Sequence, residues 1–283
     1  MQPICPIKLT PHVVTPIWGR ETWVLSTHAN GSCTVAGGAY AGVDFAQLYR
    51  EQPVLFGAAC AGRDFPVLVK FIHARDDLSI QVHPRDSDSH VLAPGEAGKT
   101  ECWFILHAEP GAKLVMGFAQ QITPEQFAQS IEDGMLMNHV AQLPVQAGDF
   151  FHIPAGTLHA IGAGITLAEV QQNSDTTYRV FDYGRLQNGQ PRELHVAQAK
   201  AVTDLIPYAA ERSDEHFTAR RVVNPSGTVG ADSFVSLVVL RGEGVLTWGG
   251  EALPIAEGES IFLPAGLGDY AVQGDCEILL THV

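Results

Sequence analysis

Basic residues are scarce in this chain of 283 residues, which contains 17 lysines and arginines against 31 aspartates and glutamates. The formal net charge at pH 7 is therefore −14. This surplus of negative charge argues against nucleic acid or an anionic membrane surface as a partner, because both attract basic patches. A small anionic substrate is still compatible with the sequence, since a local basic pocket can override the overall sign.

Paired cysteines, a signal peptide and a membrane span are also missing. The five cysteines are odd in number, widely scattered and without a C-x-x-C pair, which predicts reduced thiols in a cytoplasmic protein. The first residues contain no basic region followed by an apolar core, so we expect no signal peptide. No apolar run approaches the length of a membrane-spanning helix, so we expect no membrane partner.

Helical patterns are few, and most of the sequence has the pattern of short β-strands bounded by Gly, Pro and Asp. Closely spaced strands rich in β-branched and aromatic residues favour a barrel or sandwich over a sheet that alternates with helices. A Thr N-cap followed by Pro and an acid predicts a helical insertion over about 123–139. Helix-forming composition predicts a second helix near 192–203.

Glycine pairs punctuate the last part of the chain. A strand is predicted over 234–240, a turn at 242–244 and another strand over 245–248. Gly249 and Gly250 then give a hairpin signal.

An internal repeat relates two segments of the chain. Residues 148–156 and 258–266 share the pattern Gly-acid-x-x-x-(Ile/Leu)-Pro-Ala-Gly. The repeat predicts two related β-barrels. The first copy leads to His159, whereas the second has Asp269 in the corresponding place. We therefore expect the first barrel to be catalytic and the second to be structural.

Four polar side chains form a candidate metal site. Gln81 and His83 are two residues apart in a predicted strand, so their side chains lie on one face. Glu101 and His159 occur in two further strand-like segments. Two imidazoles, a carboxylate and an amide oxygen suit zinc or another divalent first-row metal, with a position left for water or substrate.

The segment that ends at His159, Gly-Asp-x-x-x-Ile-Pro-Ala-Gly-x-x-His, is similar to the cupin motif that delivers a metal-ligand histidine. Longer stretches resemble the type I mannose-6-phosphate isomerases, in particular their short bacterial branch. The resemblance runs from about Pro16 to Val202, and the terminal part matches only in architecture. The stretches that carry it are 17–19, 23–31, 68–70, 77–84, 98–103, 154–160 and 169–183.

The resemblance implies a mainly β fold with two cupin-like, jelly-roll β-barrels and a small helical insertion. Residues 1–212 are expected to form the catalytic cupin barrel, which includes the insertion and the helix near 192–203. Residues 213–283 are expected to form a degenerate cupin-like barrel without metal ligands.

The resemblance also implies roles for the candidate metal ligands. Gln81, His83, Glu101 and His159 match positions that hold zinc in the family. We expect one zinc ion per chain, with another divalent first-row metal as the alternative.

Further roles follow by position from the same resemblance. Arg179 is implied to be a cation near the reacting carbons, and Lys99 and Glu169 fall at polar active-site positions. Ser79 corresponds to a serine near the substrate phosphate. Arg185 stands where longer enzymes of the family carry a lysine, so the charge is kept.

The implied reaction interconverts mannose 6-phosphate and fructose 6-phosphate by moving a proton between C1 and C2 through a cis-enediol. A metal and a cation such as Arg179 can stabilise the developing charge. Glu169 and Lys99 are both candidates for the general base, and the sequence does not choose between them. Lys99, Arg185 and Ser79 are available for the phosphate.

Structural alternatives exist for three of these residues. Arg179 could bridge strands, Lys99 could be a solvated lysine in the turn after residues 94–98, and Glu169 could form a structural ion pair with Arg179. Trp103 and Phe104 are interpreted as core residues.

Two other functions compete with the leading hypothesis. One is an isomerase for a different sugar phosphate. The other is a non-catalytic, metal-holding, sugar-binding cupin, for which Arg179 would be dispensable. The sequence leaves open the physiological metal, the oligomeric state and the breadth of sugar-phosphate specificity.

Overall fold

The protein is represented by a computed structural model that describes residues 4–88, 90–92, 96–209 and 216–283. Its regular structure is mainly β-strand, as predicted. Every helix within these ranges is too short or too polar to cross a bilayer. The strands, in chain order, are β1 Ile7–Thr10, β2 His12–Val14, β3 Gly19–Leu25, β4 Thr27–His28, β5 Gly31–Ser32, β6 Thr34–Val35, β7 Val67–Ala74, β8 Ile80–Val82, β9 Glu101–Ala108, β10 Lys113–Phe118, β11 Val140–Pro144, β12 Phe150–Ile153, β13 His159–Ile161, β14 Ile165–Gln172, β15 Tyr178–Phe181, β16 Leu186–Gln187, β17 Gln190–Pro191, β18 Thr218–Val223, β19 Ser226–Val229, β20 Val235–Trp248, β21 Glu251–Ala256, β22 Ser260–Leu263 and β23 Gly268–His282.

Three α-helices occur among the described residues: α1 Phe45–Glu51, α2 Pro124–Glu132 and α3 Val196–Val202. Helix α2 lies in the predicted insertion and has the predicted start. The Thr123 hydroxyl accepts from the Gln126 N–H at 3.2 Å, and the Gln126 side chain accepts from the Thr123 N–H at 2.9 Å. This reciprocal capping box satisfies two backbone donors that the first helical turn leaves unpaired.

The other two helices depart from the sequence-based expectation. Helix α3 begins at Val196, later than the predicted start near 192, because residues 192–195 form contacts with β15 that are described below. Helix α1 was not predicted. Its available signal was Asp44, whose side chain caps the helix by accepting from the Gln47 N–H at 3.0 Å.

The predicted turn at residues 242–244 is wrong. Strand β20 continues through these glycines, and its pairing with β23 shifts register between Val239 and Arg241. Gly242, next to this bulge, has φ +77°. Glycine adopts this conformation at little steric cost because it lacks a Cβ atom. The hairpin signal at Gly249 and Gly250 is correct, because Trp248 pairs with Glu251 across these two residues.

The chain divides into two compact units. The C-terminal unit contains Met1–Val13, Thr22–Lys70 and Asp214–Val283, and the central unit contains Val14–Glu21 and Phe71–Ser213. In this grouping, residues 1–13 and 22–70 belong with the C-terminal segment, and the predicted domains 1–212 and 213–283 stay a prediction. The predicted boundary at 212/213 falls within residues 210–215, which lie outside the described residues, and it stays a prediction.

The central unit packs two antiparallel sheets against each other. One sheet has the strand order β11-β10-β13-β8-β15, and the other contains β12-β9-β14. Their facing sides meet in a core that contains Leu114, Met116 and Ile161 from the first sheet and Trp103 and Ile105 from the second. This burial of alternating apolar residues supplies the main driving force for the sandwich.

The outer side of the five-stranded sheet is covered by helices. Val82 and Val115, which alternate with inward-facing residues, pack in one buried cluster with Phe127 of α2 and Ala199 of α3. Burying a large apolar side chain of this kind contributes about 1.5–3 kcal/mol. Strand β15, at the edge of this sheet, pairs with β8 on one side. On its other side it contacts the chain segment that leads into α3.

The C-terminal unit contains a sheet with the order β18-β23-β20-β22-β1-β6, while β19 pairs with β23 and β21 with β20. Its core includes Leu237, Val239, Ile261 and Ile278. The N-terminal strand β1 is an internal member of this sheet, because Ile7 pairs with Phe262 and β6 continues on its other side.

Candidate metal centre and active site

Three of the four predicted metal ligands converge in the central unit. His83 directly follows β8, His159 begins the neighbouring strand β13, and Glu101 begins β9 in the facing sheet. Their potential ligand atoms all lie within 4.8 Å of one another, and all three side chains are buried. In the described part of the chain, no other three His, Cys, Asp or Glu side chains converge in this way.

Hydrogen bonds fix both imidazoles in the orientation of metal ligands. The Nδ1 atom of His83 lies 2.8 Å from the Thr176 carbonyl oxygen, and Nδ1 of His159 lies 2.9 Å from the Thr157 carbonyl oxygen. A carbonyl oxygen only accepts, so both Nδ1 atoms carry the proton. The Nε2 lone pairs are then left for a ligand, and they point at Glu101, with Nε2–O distances of 3.2 Å and 3.8 Å. Backbone carbonyls that orient ligating histidines in this manner are usual around bound metals.

The charges in this group also suit a metal. Burial, helped by the nearby charge of Lys99, lowers the pKa of His83 to about 3, against the opposing effect of Glu101. Burial alone would raise the pKa of Glu101, but Lys99 and His83 outweigh it and hold that pKa well below its usual value. A neutral imidazole and an ionised carboxylate are the forms that bind a cation. The donor set therefore fits a divalent metal ion.

Lys99 belongs to the same group. Its ammonium lies 3.1 Å from Glu101 Oε1, and only 4% of its side chain is exposed. The alternative interpretation as a solvated turn lysine is therefore wrong. Residues 94 and 95 of the turn that suggested it lie outside the described residues.

Trp103 connects two of the predicted carboxylates, although the sequence indicated only a core residue. Its indole N–H donates to Glu169 Oε2 at 2.9 Å and lies 3.2 Å from Glu101 Oε2. The strand register explains the contact, because Trp103 is directly opposite Glu169 in the β9–β14 pair and two residues from Glu101. Glu169 is thereby placed beside the candidate metal ligands in a buried position.

Strand pairing also brings Gln81 and Arg179 to this face. Gln81 of β8 is directly opposite His159 on one side and Arg179 on the other, so the three side chains share a face of the sheet. Ser79 is buried and donates its hydroxyl to the Gln81 side-chain oxygen at 3.3 Å. Gln81 thus lies next to the His83–Glu101–His159 group with its amide oxygen in an accepting role.

Arg179 is partly buried, and its guanidinium is only partly engaged. Nη1 donates to the Glu193 carbonyl oxygen at 2.8 Å, while the buried Nε atom has no hydrogen-bond partner among the described residues. Burial and the neighbouring Arg192 lower its pKa, with Asp182 acting in the opposite direction. A buried donor without a partner in a polar site is a candidate to contact substrate.

Arg185 lies in the turn that follows β15, where it is bound by Asp182. Its Nη2 atom donates to Asp182 Oδ1 at 2.5 Å, its Nη1 donates to the Asp77 carbonyl oxygen, and its guanidinium lies 5.2 Å from the Tyr183 ring centroid. Arg192, which sequence reasoning missed, makes a forked contact with the same carboxylate, at 2.8 Å and 2.6 Å. One buried aspartate therefore holds two arginines close to Arg179.

Asp269, in the C-terminal unit, occupies the place that corresponds to His159 in the internal repeat. Its carboxylate accepts a hydrogen bond from the Thr228 hydroxyl. Thr228 is directly opposite Asp269 in the β19–β23 pair, so this contact is a cross-strand pair.

A two-sheet β unit with a buried His–Glu–His group is the arrangement of a cupin-type metal protein. Comparison with known families agrees with this class. The family model "Phosphomannose isomerase type I, catalytic domain" matches residues 17–97, and "Mannose-6-phosphate isomerase, cupin domain" matches residues 215–283. The chain belongs to the type I mannose-6-phosphate isomerase family. The sequence alone suggested that the terminal part matches the family only in architecture. The family model shows that it matches the family's own cupin domain.

Individual relatives cover nearly the whole chain. Mannose-6-phosphate isomerase ManA of Bacillus subtilis is 35% identical over 93% of this chain and 89% of its own length. The mannose-6-phosphate isomerase of Streptococcus mutans is 36% identical over 93% of this chain and 88% of its own. The crystal structure of the mannose 6-phosphate isomerase from Bacillus subtilis matches with a TM-score of 0.91 and 31% identity, and covers 98% of this chain and 99% of that one. The predicted cupin-like fold is thereby confirmed.

Proposed function

We propose that the protein is a metal-dependent aldose–ketose isomerase that interconverts mannose 6-phosphate and fructose 6-phosphate through a cis-enediol. The observation that carries the proposal is the buried His83–Glu101–His159 group, in which Lys99 pairs with Glu101. Arg179 lies on the same face of the sheet, directly opposite Gln81. Relatives of the chain are named mannose-6-phosphate isomerase, which supports this activity. A cytoplasmic location stays a prediction.

The metal is proposed to be zinc, with one ion per chain held by His83, Glu101, His159 and Gln81. Two neutral imidazoles with a carboxylate suit zinc, and the amide oxygen of Gln81 completes a mixed nitrogen and oxygen set. When bound, such an ion supplies Lewis-acid stabilisation of negative charge on substrate oxygens. The C-terminal unit is proposed to hold no metal, since Asp269 replaces the corresponding histidine.

Arg179 is proposed to stabilise the charge that develops on the enediolate oxygens. Its side chain shares a face with Gln81 and His159, and its buried Nε donor is available. A preorganised cation in a buried site needs little reorganisation as the charge forms, and its attraction for the oxyanion is larger than it would be in water.

Glu169 is proposed as the general base. Its carboxylate can accept a carbon-bound proton, and the Trp103 indole orients it at 2.9 Å. Lys99, the other candidate, pairs with Glu101 at 3.1 Å. That contact favours an electrostatic role for Lys99, because a base must be unprotonated before it acts.

The phosphate is proposed to bind near Ser79 and Arg185. A dianionic phosphate needs hydroxyl donors and cations, and arginine offers it a planar pair of donors. Asp182 gathers Arg185 and Arg192, and Arg179 lies close to both. The three arginines outnumber the carboxylates of Asp182 and Glu193 that act on Arg179, so the cluster can balance an anionic ligand.

The test is an isomerase assay with mannose 6-phosphate on protein that has been stripped by a chelator and then reloaded with zinc. We expect activity to vanish with the metal and to return with zinc. In heavy water, the product should carry deuterium from the solvent, because a base-mediated transfer can exchange the proton. A zinc-loaded protein that binds mannose 6-phosphate without turnover would support the non-catalytic, sugar-binding alternative. Faster turnover of another sugar phosphate would support an isomerase for that sugar phosphate.

A further inference from the structure

Arg179 lies on β15, the edge strand of the five-stranded sheet, and its backbone is held from the open side. Its N–H donates to the Nδ1 atom of His195 at 3.2 Å, and its carbonyl oxygen accepts from the His195 N–H at 2.8 Å. The two bonds form one rung of a ladder in which an imidazole nitrogen takes the place of a carbonyl. An edge strand that would otherwise expose these groups is thus paired at this residue.

The segment from Arg192 to His195, named the latch below, also holds the side chain of Arg179. The Glu193 carbonyl oxygen accepts from Nη1 of Arg179 at 2.8 Å. Arg192 anchors the start of the latch by its forked contact with Asp182. Backbone and guanidinium of Arg179 are therefore both fixed by the same four residues.

The position of His195 at the helix start shows how its side chain is used. His195 is the N-cap residue of α3, and its side chain makes no capping hydrogen bond within the described residues. Its Nδ1 atom accepts from Arg179 instead, which requires that this nitrogen be unprotonated. Burial, together with the charge of Arg179 and against the effect of Glu193, lowers the pKa of His195 and favours the neutral ring.

The pairing of β15 with β8 fixes Arg179 on one side only, and it becomes irregular directly after this residue. The register of β15 against β8 shifts between Arg179 and Phe181, which marks a bulge directly after Arg179. Bulges re-aim side chains and interrupt the ladder that would hold them. The latch supplies the contacts that the interrupted ladder does not.

We propose that His195 is a positioning residue that holds Arg179 in the orientation needed for isomerisation. The inference rests on the proposed function, because it assigns to His195 the support of a group that meets the developing charge. His195 acts through Arg179 and contacts neither substrate nor metal. Loss of its Nδ1 acceptor lets the Arg179 backbone shift and the guanidinium follow.

Two substitutions separate the hydrogen bond from the rest of the histidine ring. Asparagine places its side-chain oxygen close to where Nδ1 of histidine lies, so His195→Asn keeps an acceptor for the Arg179 N–H. His195→Gln moves the acceptor to a longer side chain, and His195→Ala removes it. His107→Ala is the matched control, because the His107 side chain is 60% exposed and lies on β9.

Steady-state kinetics on zinc-loaded variants give the readout, with metal content and circular dichroism measured alongside. We expect His195→Ala to lower kcat by about tenfold to a hundredfold, since small misplacements of a catalytic group have effects of that size. KM and bound zinc should stay within about threefold of wild type, because the loss falls on the transition state. His195→Asn should recover most of kcat and His195→Gln should not, and His107→Ala should behave as wild type.

A double substitution tests whether the effect passes through Arg179. In an Arg179→Ala background, removing His195 should lower kcat by no more than about twofold further, because residues that act as a unit are not additive. If His195→Ala keeps wild-type kcat, the inference is wrong. The inference is also wrong if kcat is equally low in His195→Asn and His195→Gln. This comparison tests the inference even when the His195→Ala variant does not fold. Failure of the proposed function has a different signature, since the wild-type protein itself would then be inactive.

Discussion

The Nε2 atom of His83 lies 3.2 Å from Oε1 of Glu101, although neither atom carries a proton in the state that the surroundings favour. Two acceptors at this distance repel each other unless a cation lies near both. The Lys99 ammonium, 3.1 Å from the same oxygen, supplies part of that positive charge. A divalent ion bound by both atoms would remove this repulsion, which gives the first prediction.

Substitution of His159 by alanine is expected to abolish tight metal binding. It removes one of the two proposed nitrogen ligands and leaves Gln81, His83 and Glu101 with an incomplete set. Elemental analysis after dialysis against a weak chelator should show nearly one zinc per wild-type chain and little in the variant. His107→Ala, which changes an exposed histidine, should keep the metal. Full zinc occupancy in His159→Ala would remove this residue from the proposed ligand set.

Substitution of Arg179 by alanine is expected to lower kcat by on the order of a hundredfold or more, the usual effect of losing one donor to a developing oxyanion. KM should change much less, because the contact strengthens mainly in the transition state. Arg179→Lys should recover only part of the rate, since a compact ammonium does not reproduce the planar fork. A folded, zinc-loaded Arg179→Ala variant with wild-type kcat would show that the arginine is structural.

Substitution of Trp103 by phenylalanine is expected to affect both stability and turnover. It removes the N–H that Glu169 accepts at 2.9 Å and leaves a buried carboxylate with one donor fewer. A loss of this kind lowers the free energy of unfolding by about 1–3 kcal/mol, measurable by urea titration. The drop in kcat should be specific to this site, so Trp18→Phe, at another buried tryptophan of the same unit, is the control. Unchanged kcat in Trp103→Phe would argue against Glu169 as the base.

Substitution of Asp182 by asparagine is expected to have an effect on stability that depends on pH. Burial would raise the pKa of Asp182, but hydrogen bonds and charges from Arg192 and Arg185 outweigh it and lower that pKa. A carboxylate with a lowered pKa in the folded state stabilises the protein fully above its usual pKa of about 3.9 and loses this contribution as the pH falls towards the folded-state value. Near neutral pH, the free energy of unfolding of Asp182→Asn should thus be lower than that of the wild type by on the order of 3 kcal/mol, as for other broken buried pairs.

The same difference should shrink below about pH 4, because the Asp182 carboxylate of the unfolded wild-type chain takes up a proton there before that of the folded protein does. Urea unfolding at several pH values measures it. Asp76→Asn is the matched control, because Asp76 forms an exposed pair with Arg75 that should contribute little at any pH. A difference that is constant from pH 3 to pH 7 would contradict the ionic origin of the effect.

Features of the site that depend on local periodicity could be predicted from the sequence. The spacing of Gln81 and His83 fixes both on one face of a strand, and the repeat of Gly-acid-x-x-x-(Ile/Leu)-Pro-Ala-Gly identifies the strand that leads to His159. The structure places β13, which begins at His159, directly beside β8. Glu101 could be added from its residue type and its strand-like context, and the family resemblance then implied a zinc-binding role for all four residues.

Features that depend on contacts between distant segments could not be predicted. The role of Trp103 requires the register between β9 and β14, which no local pattern encodes. The contact of Arg192 with Asp182 requires the turn between them, in which Tyr183 has φ +56° and Gly184 φ +68°. A bulky residue rarely adopts that conformation, so composition alone would not predict the turn. Helix α3 begins at Val196 and not near residue 192, because the tertiary contacts of the latch override the helix propensity of its residues.

The place of β1 inside the sheet of the C-terminal unit has a consequence for synthesis of the chain. Ile7 pairs with Phe262, so β1 is synthesised about 250 residues before its partner strand β22 exists. At ribosomal rates of about 5–20 residues per second, that interval is about 12–50 s. During that time β1 lacks its partner β22, while the strands of the central unit have already emerged. Ribosome-bound chains that end before residue 260 should therefore expose Ile7 and Leu9 to added protease, and released chains that contain β22 should protect them.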